Sequence, residues 1–234
     1  MNERRQQSAC ERRSEKGMKM KKRERVDEDN RKLSPAEQRR LERLHGIEAD
    51  LAAQGYKETE LTISIVKANV FVLVMAVPLF IGGLLLFFLL NDFDGTRFNM
   101  IGIVAFLVVY FALIVVHELV HGITWSLFCE NGFKDIEFGV MWQMLTPYCT
   151  CGTPLKKGHY ILGGLMPLIV LGIIPTVIAY IIGSLWLLIV GLVMILSAGG
   201  DILICWKLVR YKADASEVLI YDHPTKGGSI IFEK

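Results

Sequence analysis

His117-Glu118-Leu119-Val120-His121 closes the apolar run Ile101 to Val116, and the reading of this stretch decides the rest of the chain. Residues four apart in a helix are separated by about 400° of turn, so His117 and His121 project from one face and can grip one ion. Neutral imidazoles suit zinc, and a shell left open to water lowers the pKa of that water to about 7. Glu118, beside the first histidine, is then placed to act as the base. A buried polar cluster with a structural role is the competing reading. It leaves unexplained why two histidines and a carboxylate, costing several kcal/mol to desolvate, stand at the end of an apolar helix.

Working outward, composition separates two regions. Over 234 residues the hydrophobic fraction is 52%, too high for an ordinary soluble domain, yet residues 1–60 are strongly polar. The expectation is an all-α membrane protein carrying a polar arm. The formal net charge is only +2, and its basic residues crowd into the N-terminus and the loops, where they speak for topology and not for nucleic acid. From Met1 to about Asn30 the run of mixed charge buries too little apolar area to offset chain entropy, so a solvated cytosolic tail is expected. No apolar segment follows closely enough to make a signal peptide, and Met18 or Met20 could even be the true start.

Ser34-Pro35-Ala36-Glu37 is a helix start, with a hydroxyl cap, proline at the first position and a carboxylate in the first turn. Leu41, Leu44 and Ile47 give one or two amphipathic turns ending near Gly55, and Leu61 to Ile65 alternates as a short strand. Four apolar segments follow at about 66–90, 100–128, 161–182 and 185–206, each near the roughly 20 residues that cross a bilayer. Asp92 and Asp94 face a lone Arg97 in the first loop, whereas Lys134, Lys156 and Lys157 in the second and Lys207, Arg210 and Lys212 after the last span are basic. By the positive-inside tendency both termini are cytosolic in a multi-pass cell-membrane protein. Three regions result: a charged arm over 1–60, a membrane domain over 61–210 and a cytosolic tail over 211–234.

Entering from outside near Met100, the second span reaches His117 after about 25 Å at roughly 1.5 Å per residue. The fourth span runs the same way and brings its one carboxylate, Asp201, to about 24 Å from its outer end. The depths match, and an aspartate in a span needs a partner, so Asp201 is read as the third metal ligand, with a hydrogen bond to a ligating histidine as the alternative. Ala198, Gly199 and Gly200 allow the close helix approach that its short side chain requires. Other zinc architectures fail: the positions of a metzincin continuation hold Thr124 and Leu127, while Glu130 is too near and Glu137 lies in a strand pattern.

With these residues in view, the chain over roughly Met100 to Lys207 resembles the three-helix core of site-2-protease-type intramembrane metalloproteases, and more closely the bacterial membrane family of zincin peptidases. The resemblance implies His117 and His121 as zinc ligands, Glu118 as catalytic acid/base and Asp201 as third ligand. It departs from the usual site-2-protease signature in having Ile202 after the aspartate and no Asn-Pro before it. The implied activity is hydrolysis of a membrane protein or peptide at the lipid bilayer. A metal sensor or transporter is the competing class, although neither internal repeats nor a path of ligands is visible.

The remaining signals are smaller. Ile136 to Trp142 and Pro147 to Cys151 read as a β-hairpin near the site, either a loop without substrate role or an edge for an extended substrate segment. Cys149-x-Cys151, in a chain of five cysteines, reads as packing; Cys10, Cys129 and Cys205 need no further explanation. His159 reads as an interface residue, and nothing is assigned to His45 and His223. Pro167 and Pro175 predict bends in the third span. Glu217 to Tyr221 and Ser229 to Phe232 predict a hairpin in the tail.

Overall fold

The structure, a computed structural model, describes residues 33–92, 99–141, 146–213 and 215–234. The expectations for residues 1–32, Cys10 among them, for Asp94 and Arg97, and for the turn at Leu145 lie outside the described residues. By its contacts the chain divides into two units, Met1–Glu42 and Arg43–Lys234. Helix α1 (Pro35–Ala53), which begins in the first and ends in the second, opens on a capping box: the Glu37 amide donates to Ser34 Oγ at 3.3 Å, and the Ser34 amide donates to Glu37 Oε2 at 2.8 Å. The helix is 19 residues long, not one or two turns. Its many Glu, Arg, Leu and Ala residues carry it past Gly46 to a left-handed Gly55, where Tyr56 N donates to Leu51 O at 3.0 Å.

In the second unit, three helical stretches are long and apolar enough to cross a membrane, or four if one bent pair counts as a span. They are α2 (Ile65–Leu90), α3 (Met100–Ser126) and the stretch Lys157–Ile182. The last is made of α4 (Lys157–Pro167), a π-helical turn over Leu168–Ile173 and α5 (Ile174–Ile182), so the bends expected at Pro167 and Pro175 take the form of a widened turn between them. The fourth segment is not the single helix expected over 185–206. It is α6 (Leu185–Ser197) and α7 (Gly199–Arg210), bent by 49° at Ala198, because two successive glycines follow and weaken the helix there. Apolar side chains such as Val70, Leu73, Val77, Ile101, Phe111 and Val115 remain exposed along α2 and α3.

Short antiparallel strands close one end of the helices. β1 (Lys57–Thr62), β4 (Leu155–Lys156), β5 (Val218–Asp222) and β6 (Gly228–Glu233) form one sheet in the order β1-β6-β5-β4. β2 (Ile136–Met141) and β3 (Thr146–Cys151) form a separate hairpin, with Ile136 opposite Cys151 and Phe138 opposite Cys149. The tail hairpin is therefore not a free cap but the middle of a four-stranded sheet. The strand expected at 61–65 lies at Lys57–Thr62, where Lys-Glu-Thr-Glu carries no apolar alternation and pairing with β6 decides the outcome.

This sheet positions the site. β1 leads into α2, β4 leads into α4 and β5 follows α7, so one sheet gathers one end of the first, third and fourth segments on the same side. Lys207 Nζ donates to Thr62 O at 3.0 Å and Lys157 Nζ to Tyr211 O at 2.9 Å, tying those ends together. Beneath lies a buried cluster of Trp125, Ile136, Cys151, Leu155, Tyr160, Leu208, Ile220 and Ile231. Burying large side chains such as these stabilises by about 1.5–3 kcal/mol each. At the opposite end, Asn91 Nδ2 donates to Phe87 O and Tyr180 O, each at 3.3 Å, joining α2 to α5.

Candidate metal centre

His117 and His121 stand on one face of α3, both buried, and Asp201 stands in the first turn of α7. His117 precedes the end of α3, and Asp201 the end of α7, by about 13 Å at roughly 1.5 Å per residue, so the matched depths hold despite the break in the fourth segment. That break also puts Asp201 at a helix N-terminus, whose unpaired amides and dipole favour a carboxylate. His117 Nε2 is 3.1 Å from Asp201 Oδ2, the two Nε2 atoms are 3.2 Å apart, and His121 Nε2 is 3.6 Å from the same Oδ2. Among the described residues, these three are the His/Cys/Asp/Glu group that could hold a metal ion.

The donor set fits zinc. Bonds of about 2.0–2.2 Å in a tetrahedral shell put ligand atoms about 3.3 Å apart, and the three observed separations bracket that value. His121 Nδ1 lies 2.8 Å from Gly163 O, an acceptor only, so Nδ1 carries the proton and Nε2 of the neutral ring presents a lone pair to the other two atoms. A cation among these three atoms would take a lone pair from each of them. The Asp201 side chain is 27% exposed against 8% and 5% for the histidines, so the open side of the group lies toward Asp201.

A second layer fixes His121, whereas His117 Nδ1 is buried without a hydrogen-bond partner among the described residues. The Trp125 ring stacks on His121 at 5.0 Å and on Tyr160 at 5.4 Å, and its Nε1 donates to Tyr160 O at 3.1 Å. Gly163 is required here, since a Cβ would collide with the Trp125 ring. Glu118 is half-buried beside the cluster and within electrostatic reach of His117, His121 and Asp201; its carboxylate faces the backbone N–H of Cys149 on β3. Gly122 lets that hairpin lie against α3, because a Cβ there would stand 2.6 Å from Phe138 Cζ and 2.9 Å from Ile136 Cγ2.

The structure also places the residues around this group. Glu137 is ion-paired with Arg43, in keeping with its rejection as a ligand. His159 stacks on Phe128 at 3.9 Å, an interface as expected. Cys149 and Cys151 do not pair with each other: Cys151 Sγ lies 2.9 Å from Cys129 Sγ. Burial pushes the Cys149 thiol far above its usual range and the Cys151 thiol up to about 12, the neutral form of packed cysteines. Asp222 carries no signal in the sequence, because its partners come from segments distant along the chain. Its buried carboxylate accepts from Tyr160 OH at 2.5 Å, Thr150 Oγ1 at 2.8 Å and Cys151 N at 3.2 Å. Burial raises its pKa, and those donors oppose the rise.

Residues 110–216 match the model of a family described as "Putative zincin peptidase". The matched stretch begins within α3, ends after α7 and contains His117, Glu118, His121 and Asp201. No curated protein and no solved structure matches the chain.

Proposed function

We propose that this chain, whose central stretch matches the zincin peptidases, is a zinc-dependent intramembrane endopeptidase acting on membrane proteins or peptides. The observation that carries the reading is the convergence of His117 Nε2, His121 Nε2 and Asp201 Oδ2 with Glu118 beside them, at the sheet-bearing end of apolar helices. The basic loops and tail put that end in the cytosol, with both termini on the same side. In this reading, all three residues ligate the ion. When bound, zinc polarises the scissile carbonyl and makes water acidic enough to react at neutral pH.

The chain's own groups supply the rest. Glu118 takes a proton from the attacking water and delivers it to the leaving amine, the two halves of general acid/base work. The Cys149 N–H holds the Glu118 carboxylate so that it need not search for its geometry. Gly163 O holds the His121 ring through Nδ1, which keeps the lone pair of Nε2 on the site. Water and substrate reach the group from the side of Asp201, because the histidines are buried.

A metal sensor would need the same three ligands and has no use for Glu118, so Glu118→Gln separates the classes. In a peptidase this substitution leaves zinc occupancy nearly intact and lowers cleavage by about a hundredfold or more. The experiment is a mass-spectrometric search for membrane-protein fragments in cells carrying wild type or Glu118→Gln, followed by cleavage of the candidate segments with purified protein. If no fragment depends on Glu118 and zinc-loaded wild type cuts no candidate, the binding reading replaces the peptidase reading.

A further inference from the structure

The edge of β3 that faces away from β2 is held by two carboxylates. In an antiparallel strand, amides two residues apart point the same way. Thr150 N–H points toward β2, and Cys149 N–H and Cys151 N–H point to the outer edge. There the first meets Glu118 and the second meets Asp222 Oδ2 at 3.2 Å. The same oxygen accepts from Thr150 Oγ1 at 2.8 Å, so Asp222 grips β3 at two successive residues directly after Cys149. Its other oxygen accepts from Tyr160 OH at 2.5 Å, and Ser229 Oγ donates to that phenol oxygen at 3.0 Å. Tyr160 in turn stacks on Trp125, which stacks on His121. Contacts thus close a ring from the metal group through α4 and the C-terminal hairpin to β3 and back to Glu118.

We infer that Asp222 is a positioning residue: it sets the height of β3 over α3 and thereby holds the Cys149 N–H against the Glu118 carboxylate. This rests on the peptidase reading for its catalytic consequence, though not for the coupling itself. Asp222 lies on β5, beyond the matched stretch 110–216, so the tail hairpin is a working part of the site. Without the Asp222 side chain, Thr150 Oγ1 and Cys151 N–H lose their acceptor, and β3 keeps only its packing on Gly122 and the Cys151–Cys129 contact to hold it beside Glu118.

The test uses purified full-length protein loaded with zinc: wild type, Asp222→Ala, Tyr160→Phe, Glu118→Gln and the Asp222→Ala/Glu118→Gln double variant. Hydrogen exchange over 148–152 should rise at least about tenfold in Asp222→Ala, which leaves Thr150 Oγ1 and Cys151 N–H without their acceptor, and less in Tyr160→Phe, which keeps the ring and loses one donor. On a peptide that wild type cleaves, Asp222→Ala should lower kcat by about 10–100-fold with KM and zinc content unchanged, the scale of outer-shell effects. It should cost nothing further in the Glu118→Gln background, because both changes act on one carboxylate. Unaltered exchange over 148–152 in a folded Asp222→Ala overturns the inference, as does an additive loss in the double variant. If Asp222→Ala does not fold, Tyr160→Phe decides by the same two measures. A wild type that cleaves nothing overturns the peptidase reading instead, and the exchange data still decide the coupling.

Discussion

His117 Nε2 stands 3.1 Å from Asp201 Oδ2, across 84 residues of sequence. Two helices bring the atoms together: α3 carries the histidine, and α7 begins just before the aspartate at the break after Ser197. A straight fourth helix would bury Asp201 mid-span, whereas the break gives its carboxylate the unpaired amides of a helix start and leaves 27% of the side chain exposed.

From this geometry the purified protein should hold about one zinc. His117→Ala and His121→Ala should abolish binding. Asp201→Ala should weaken it strongly, while Asp201→Glu, with a longer reach, should retain part. Metal analysis after dialysis against a mild chelator checks this. Unchanged zinc in Asp201→Ala would reduce Asp201 to a hydrogen-bond partner of His117.

Much of this was readable in the chain because it rests on spacing and depth. The histidine pair follows from a separation of four residues, and Asp201 follows from equal distances along two spans; neither needs a loop conformation. The break at Ala198 was signalled by Gly199-Gly200, yet continuous hydropathy through Trp206 masked it. β1 was displaced because Lys57 to Glu60 owe their strand to hydrogen bonds with β6, a partner more than 160 residues away. Asp222 and Trp125 were invisible for the same reason: what they do depends on neighbours from three separate segments.

The shared sheet predicts a topology. With β1, β4 and β5 adjoining the ends of three helical segments, the Lys226 turn and the Asp92 loop belong to opposite faces of the membrane domain. Single cysteines at these positions should be labelled by an impermeant maleimide only after lysis for Lys226→Cys, and in intact cells for Asp92→Cys. Labelling of both from one side would refute the four-segment arrangement.

Of the five native thiols, Cys149 and Cys151 should not confuse that assay, and Cys10, Cys129 and Cys205 are replaced by alanine for it. Burial pushes the Cys151 thiol up to about 12, so it stays neutral at pH 8, where a free cysteine is partly thiolate. Cys149, pushed higher by burial, should be quieter still. Alkylation mapped by mass spectrometry at pH 8 should miss both in the folded protein and find both after denaturation. Rapid native labelling of either would mean that the hairpin lifts from α3.

Gly163 offers the sharpest test of the layer behind the metal group. Its carbonyl accepts from His121 Nδ1 at 2.8 Å, and the space where its Cβ would stand is filled by the Trp125 ring that stacks on that same imidazole. Gly163→Ala therefore drives Trp125 off His121 and shifts α4, and overpacking of this kind costs about 1–3 kcal/mol. Gly158 lies on the same helix with nothing within 4 Å of its Cβ position, so Gly158→Ala should be neutral or stabilise by up to about 1 kcal/mol. If Gly163 serves only packing, Gly163→Ala lowers Tm and leaves zinc affinity alone. If its carbonyl orients His121, zinc affinity also falls by about 10–100-fold, the usual effect of disturbing a ligand's partner. Competition against a fluorescent zinc chelator, run beside thermal unfolding of both variants, separates the two, and equal zinc affinity in Gly163→Ala and Gly158→Ala would remove Gly163 from the site.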